Sequence, residues 1–534
     1  MSSQPLAIGD NDTLDASPWG MNAHLTFDNS RDNIENLCKS LAECGVSIIR
    51  VDVYWWYENM FMQKEYCDRA VYYADKYGLE VLINFPQLPN RTDDKFVEEW
   101  LDMIKTYVHR YDGKTKITVS GETGARYPTV KYFEVFNEVE INGKTQHLSV
   151  RDVFKLIKES SNAIHDIGLR ERPVVIFPGL GNFNDFMKEL FEYEENGKRI
   201  VDFIDVVNVH SYEPKTEGFI YFMERWKERR KTYKCSDKPF WITELGNSLW
   251  DVSFERQKEN LEKQYILALA YGLERVFYYQ YHSFGGNYFT SHVQKEEYFG
   301  IIGPSISNSY VSFLENDGRY NRAISQGDGL KRIYIKKGVD SVSIYTNNNV
   351  IFNKLKNIGV AIGGKGYTID SVSIYHRDFS SNVVWKGSKR IGTKGKDILC
   401  IDANKFIDME IDDKLVVYFS NPKDTTGRWS GLDAYPAYNA YKSLSSILTK
   451  ACTRPVVEVK DKDVYIAKWI NIKTQKIYYA LWTENKDTKK IDILTRPRCL
   501  RQIKEGHVCS YKKQNIDLKH TPIYFMSNNE IIFE

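Results

Sequence analysis

The feature that most constrains this chain is an alternation that fills its first half. Short apolar runs stand at 19–22, 46–52, 79–85, 132–136, 173–177, 203–209, 239–243 and 276–282. They are rich in β-branched and aromatic residues, as strands buried on both faces of a parallel sheet must be. Helix-patterned segments separate them at 31–44, 64–77, 93–112, 149–166, 218–233 and 254–272. In 93–112, Phe96, Val97, Trp100, Leu101, Ile104 and Val108 recur at helical spacing and form one apolar stripe. Gly45, Gly78, Gly168 and Gly272 each follow such a segment, where a left-handed residue closes a helix. Eight strands alternating with helices predict a (β/α)8 TIM barrel, whose usual length is about 250 residues. A doubly wound sheet also alternates. No G-x-G-x-x-G follows the first strand here, so the barrel is the better reading.

One barrel helix is late. From 304 to 430 there are period-2 segments instead, at 332–335, 342–345, 369–375, 398–401 and 415–420. They predict an inserted β-domain. A helical face of Tyr438, Tyr441, Leu444 and Ile447 then supplies the eighth helix. Residues 453–532 alternate again, for example at 464–470 and 477–482, and predict an antiparallel β-sandwich. The expected organisation is a catalytic barrel over 1–303 completed by helix 431–450, a β-insert over 304–430, and a C-terminal sandwich over 451–534. A stretch of the insert, Gly366–Val372, faintly resembles a carbohydrate-binding module.

Charge narrows the function. Lys plus Arg number 73 and Asp plus Glu 71, a net +2. No global basic field exists to hold nucleic acid. No run approaches the ~18 apolar residues of a membrane span. The first residues lack a basic and then apolar leader, so the chain either stays where it is made or is a mature form. The eight cysteines form no C-x-x-C and no zinc spacing, and are expected to be buried thiols. Aromatic residues reach 14%, enough to offer flat faces on which sugar rings or bases stack.

In such a barrel the chemistry sits at the C-terminal ends of the strands. Those ends carry Arg50 and Asp52, Asn84, Asn137 and Glu138, His210 and Tyr212, Thr243 and Glu244, and Gln280 and His282. Two glutamates, on strands four and seven, therefore share one mouth. Paired carboxyls are what glycoside hydrolysis needs, one to protonate the leaving oxygen and one to attack or to activate water. Arg50 would hold one carboxyl ionised, while burial and the like charge would raise the other. Trp55, after strand two, is a candidate sugar-stacking residue. Glu134 reads as structural and Glu140 as a rim residue. No metal or cofactor is called for.

Phe133-Glu134-Val135-Phe136-Asn137-Glu138 resembles the F-E-V-W-N-E signature of clan A retaining glycoside hydrolases. Trp241-Ile242-Thr243-Glu244 is similar to that clan's strand-seven nucleophile motif. The resemblance is strongest to family 39, the β-xylosidase, iduronidase and exopolysaccharide hydrolase group. It implies Glu138 as acid/base and Glu244 as nucleophile. It further implies Asn137, Arg50, His210, Tyr212, Gln280, His282 and Trp55 as substrate-site residues, with Tyr212 on the nucleophile. It implies a β-linked glycan as substrate, no cofactor, and a secreted or periplasmic protein with its signal removed. Val139 stands where the family has Pro, and Tyr278-Tyr279-Gln280-Tyr281-His282 where it offers Trp. A transglycosylase with the same residues, and a glycan-binding protein on a barrel scaffold, remain open readings. The sugar and the oligomeric state are not set by these residues.

Overall fold

The computed structural model describes residues 6–10, 12–23, 34–54, 60–87, 92–141, 148–169, 171–247, 254–280, 311–314, 341–345, 357–360, 368–376, 380–390, 399–406, 414–420, 436–485, 487–495, 500–504 and 507–534. The chain forms two compact units. One comprises Met1–Asn247, Asp251–Tyr281 and Tyr435–Glu534, the other Ser248–Trp250 and His282–Ala434.

The first unit holds a (β/α)8 TIM barrel. Its strands are β1 (Trp19–Asn22), β2 (Ile48–Asp52), β3 (Glu80–Phe85), β4 (Tyr132–Val135), β5 (Val174–Ile176), β6 (Val207–Ser211), β7 (Phe240–Leu245) and β8 (Arg275–Tyr278). They pair in the order β5-β4-β3-β2-β1-β8-β7-β6. A parallel bridge between Ile176 and Val206 brings the two ends together. Among the described residues the surrounding helices are α1 (Ile34–Glu43), α2 (Met60–Lys76), α3 (Asp94–Arg110), α4 (Val150–His165), α5 (Asp185–Glu192), α6 (Thr216–Thr232), α7 (Phe254–Ala270) and α8 (Pro436–Ile447).

Local chemistry fixes these boundaries. The Asp93 side chain accepts the Phe96 N–H and starts α3. Ser149 and Asp152 form a capping box at α4. The sequence pattern shows no helix between β5 and β6, yet α5 stands there. Asn184 caps it by accepting from the Met187 N–H. The expected sixth strand covers 203–209, but Ile200–Phe203 is a 3-10 turn and β6 begins at Val207.

The late helix α8 lies beside β1 and α7. Tyr441 Oη donates to the Gly20 carbonyl at 3.0 Å, and Trp19 Nε1 donates to the Leu448 carbonyl at 2.8 Å. Trp19 stacks on Tyr265 of α7 at 4.7 Å between ring centres. Leu448, rather than Ile447, is the buried residue in the last turn.

Inside the strands two layers follow from the period of two. Ile48, Leu82, Ile176, Val206, Trp241 and Phe277 form one apolar floor, with Tyr132 and Val174 against it. Gly20 leaves the space that the Phe277 ring fills, since a Cβ there would come within 2.5 Å of it. Arg275 lies over Tyr132 and Trp241 and pairs with Glu80 at 2.6 Å. Two residues along from Ile48, Leu82, Tyr132, Val206 and Trp241 stand Arg50, Asn84, Glu134, Asn208 and Thr243, so polar side chains form the next layer.

The C-terminal residues build a seven-stranded antiparallel sheet that also takes in Leu6–Ile8. A two-stranded ribbon of Lys489–Asp492 and Asn515–Leu518 shares one core with it, through Ile491, Ile516, Leu481 and Phe525. In the second unit, one sheet joins Val311–Leu314, Asn357–Val360 and Leu399–Asp402. The other joins Ser341–Tyr345, Lys414–Ser420, Thr368–Tyr375 and Ser381–Arg390. The predicted strand 332–335 lies outside the described residues. Cys38, Cys44, Cys67, Cys235 and Cys452 are buried thiols, but Cys509 is exposed. It sits on His507–Ser510, an edge strand whose residues all face solvent. Among the described residues, no helix is long and apolar enough to cross a membrane.

Candidate active site

The polar layer is organised by Arg50, which β2 buries at the barrel centre. Its Nε donates to Glu134 Oε2 at 2.7 Å, and Nη2 donates to Asn137 Oδ1 at 2.7 Å. Nη1 donates to Glu244 Oε1 and to Asn22 Oδ1, both at 3.0 Å. Burial alone would weaken the guanidinium's hold on its proton. The charges of Glu134, Glu244 and Asp52 outweigh this and raise its pKa well above the usual value. Arg50 is therefore a fixed cation under the carboxylates.

Glu134 is the structural acceptor the sequence suggests. It takes the Arg50 bond, the Gly179 N–H at 3.0 Å, Asn208 Nδ2 at 2.9 Å and the Thr243 hydroxyl at 3.1 Å. Beyond it the chain turns sharply. Phe136 and Glu138 both adopt left-handed backbone, with φ of 71° and 46°. Such conformations cost a non-glycine residue on the order of 1–3 kcal/mol and persist where packing enforces them. Phe136 is buried and stacks on Trp100 at 5.2 Å, and Glu138 N–H donates to the Gly179 carbonyl at 3.0 Å. The turn lifts Glu138 over the mouth.

His210 links the two glutamates. Its Nδ1 lies 3.0 Å from Glu138 Oε1 and 3.6 Å from Glu244 Oε2. Its Nε2 lies 3.1 Å from Thr243 Oγ1. The Thr243 hydroxyl lies within bonding distance of Glu134 Oε1, Asn208 Nδ2 and His210 Nε2, and the direction of its bond to Nε2 depends on the His210 tautomer. Nδ1, which faces a carboxylate, is the donor in the Glu138 bond. Burial opposes a charge on the ring, but Glu244 and the Glu138 bond outweigh it and raise His210 above its usual value. The effect on Glu138 reverses the sequence expectation. Burial pushes its carboxyl up, yet the His210 bond and charge, with Arg50, bring it below the usual range. The proton between the pair is thereby drawn toward His210.

Tyr212 donates to Glu244 Oε2. Burial of that hydroxyl and the Glu244 charge push it well above the phenol range, so it stays a donor. Glu244 is held on one oxygen by Arg50 and on the other by Tyr212. Glu138, His210 and Glu244 each present one atom, all within 4.8 Å of one another. His210 Nδ1 carries a proton toward Glu138 and Arg50 already supplies positive charge, so this donor set does not suit a resident cation.

The structure thus brings together Glu138, Glu244, Asn137, Arg50, His210 and Tyr212. Gln280 follows Tyr279, whose ring meets Tyr212 edge-on at 6.0 Å. Gln280 is buried, the peptide before it is cis, and its Oε1 has no partner among the described residues. Trp55 and His282 lie outside the described residues. Glu140 is not at the rim, for only 1% of it is exposed. The loop after β5 folds over it, and the Asn182 N–H donates to its Oε1 at 2.9 Å. Nothing in the strand-end pattern marks that loop as part of the site. Gly179 packs so closely on His210 that a Cβ would lie 1.8 Å from Nε2. Gly181 similarly admits Glu138 Oε1 at 3.0 Å. The signal that could have found the loop is its Gly-x-Gly directly after a strand.

Comparison with curated proteins finds no match. Among solved structures, the chain is similar to a family 39 glycoside hydrolase from Bacteroides cellulosilyticus WH2 (14% identity, 97% of this chain and 81% of the other, TM-score 0.46). It is also similar to an endo-1,4-beta-mannanase from Rhizomucor miehei (18% identity, 52% and 91%, TM-score 0.37). A third is the cellulose synthase subunit Z from Clostridioides difficile (14% identity, 50% and 92%, TM-score 0.35). In sequence, residues 40–300 match the glycosyl hydrolase catalytic core, and that match supports a glycoside hydrolase seated in this barrel.

Proposed function

We propose that the protein is a retaining glycosidase acting on a β-linked glycan, of the clan A type and similar in character to family 39. The observation that carries the reading is that one carboxylate oxygen of Glu138 lies within 4.8 Å of one of Glu244 at the barrel mouth, each group being held differently. Retaining enzymes keep their carboxyls ~5–5.5 Å apart, whereas inverting ones leave ~6.5–9.5 Å for a water. Glu244 is the nucleophile. Arg50 and Tyr212 fix its two oxygens, so one lone pair can face the anomeric carbon. Its attack forms a glycosyl ester as the bond to the leaving oxygen breaks. Glu138 gives that oxygen a proton, taken up from His210 Nδ1 across the 3.0 Å bond. Water then attacks the anomeric carbon of the ester, Glu138 accepts its proton and passes it back to His210 Nδ1, and Glu244 is released as carboxylate. Asn137, fixed by Arg50, is placed to bond the sugar 2-hydroxyl. Gln280, His282 and Trp55 are proposed for the sugar's outer contacts.

The test follows aryl β-glycosides and β-linked polysaccharides by reducing-end release, with NMR of the first anomer formed. Wild type should release the β-anomer first. Glu244→Gln should lose on the order of 10³-fold or more in turnover, as removal of a covalent nucleophile does. Release of the α-anomer, or equal turnover by both proteins, would overturn the reading.

A further inference from the structure

The mouth contains a carboxyl that the double displacement does not use. Glu140 follows Glu138 by two residues and is as buried as the barrel core. Its Oε1 accepts the Asn182 N–H, and its Oε2 is buried with no hydrogen-bond partner among the described residues. A carboxylate left with a bare oxygen in such a place is costly, whereas the neutral acid is tolerated. Its position is specific. Glu138 Oε1 and Glu140 Oε1 flank Gly181, 3.0 Å and 3.6 Å from the point where that residue's Cβ would stand. This Glu138 oxygen is the one that accepts the proton-bearing Nδ1 of His210.

Resting on the acid/base reading of Glu138, we propose that Glu140 is a positioning residue of the site: a proton-bearing carboxyl facing Glu138 across Gly181, whose ionisation keeps the working proton on the Glu138–His210 pair. The charges that act on it are Glu138 on the same turn and His210 on β6. Burial pushes Glu140 up to about 7, the Asn182 bond opposes this, and the Glu138 charge adds to it. The sign follows directly. Below about 7 the side chain is neutral and leaves the pair alone. Above it a new negative charge stands beside Glu138, and removing the proton from His210 becomes harder. The site then keeps its acid further into the alkaline range than His210 would alone.

The experiment needs no substrate. Nitrogen NMR of histidine-labelled protein follows the ten histidines, with His210 assigned from His210→Gln. The Glu140→Gln variant keeps the shape and the acceptor for Asn182 but cannot ionise. It should lower the alkaline part of the His210 titration by about one pH unit, the effect of one charge at this range in a partly screened site. The alkaline limb of kcat/KM on an aryl β-glycoside should move with it, while turnover at acid pH stays within about threefold. Superimposable His210 titrations would overturn the inference and leave the Glu244 test untouched. Should Glu140→Gln not fold, infrared difference spectra of the folded protein decide. A protonated-carboxyl band must disappear as pH rises through about 7, and it must survive in Glu262→Gln, since Glu262 is another buried carboxyl pushed to about 7. Loss of the whole band in Glu262→Gln would overturn the inference.

Discussion

At the floor of the barrel, Ile48, Leu82, Trp241 and Phe277 meet by apolar packing. Two residues further along β2, β3 and β7, Arg50, Asn84 and Thr243 meet through directed bonds. Asn84 binds Asp52 at 2.8 Å, Thr243 binds Asn208, and Arg50 reaches four partners. The floor buries area at ~25 cal/mol per Å² and tolerates any filling of the right volume. The mouth buries charges, whose desolvation is offset only by complete pairing, so its net contribution to stability is small. The same strands therefore store stability at one end and geometry at the other.

The largest expected contrast comes from one residue at each end. Glu244→Gln should cost on the order of 10³-fold in turnover, ~4 kcal/mol of barrier, with a smaller loss of stability because Arg50 keeps its Glu134 bond. Phe277→Ala should cost ~3–5 kcal/mol of stability in denaturant unfolding, because Gly20 leaves no side chain to refill the space. Its turnover when folded should stay close to wild type. A large loss of stability in Glu244→Gln would show the mouth to be part of the packing and break the contrast.

Gly179→Ala sharpens it from the loop side. A Cβ 1.8 Å from His210 Nε2 cannot be accommodated, so the ring must move and carry Glu138 with it. A displacement of about 1 Å at reacting groups costs ~10²-fold in rate. Steady-state kinetics should show that fall in kcat, with the floor residues and far-ultraviolet circular dichroism unaffected. Wild-type kcat in this variant would mean the His210 position is not set by the loop.

What is legible in the sequence follows the same division. A period of two states which residues share a face, so spacing puts Arg50 and Glu244 at strand ends, whereas Glu138, past the turn that ends β4, is legible through its motif. Alternation specifies the barrel, and the face of Tyr438, Tyr441 and Leu444 specifies its delayed helix. Burial imposed by a distant segment is not legible. Glu140 looks like a rim residue in sequence because the Asn182 loop that covers it comes 42 residues later. The low setting of Glu138 escapes notice because it depends on which His210 nitrogen faces it. Helix α5 has two turns, too short for periodicity to stand out. Strand Leu6–Ile8 owes its conformation to Val456–Lys460, not to its own residues.

The smallest expected effect asks whether a buried carboxyl by itself marks function. Glu262, on α7, is buried like Glu140, and burial pushes it to about 7 as well. Its neighbours are Lys258, Glu259 and Lys263 of its own helix and Tyr524 of the terminal sheet, far in kind from a catalytic pair. Folding raises the affinity of this carboxyl for its proton. Its contribution is therefore complete below the ordinary carboxyl range and is lost as pH rises through about 7. Wild type should lose on the order of 1–3 kcal/mol between mildly acid and mildly alkaline pH from this group, while Glu262→Gln should flatten that slope. Denaturant midpoints across pH measure both. Glu262→Gln should leave the His210 titration where it is, whereas Glu140→Gln should shift it. If the two variants move His210 equally, proximity to Glu138 has no part in the effect, and the carboxyl at the mouth is no more than a second buried acid.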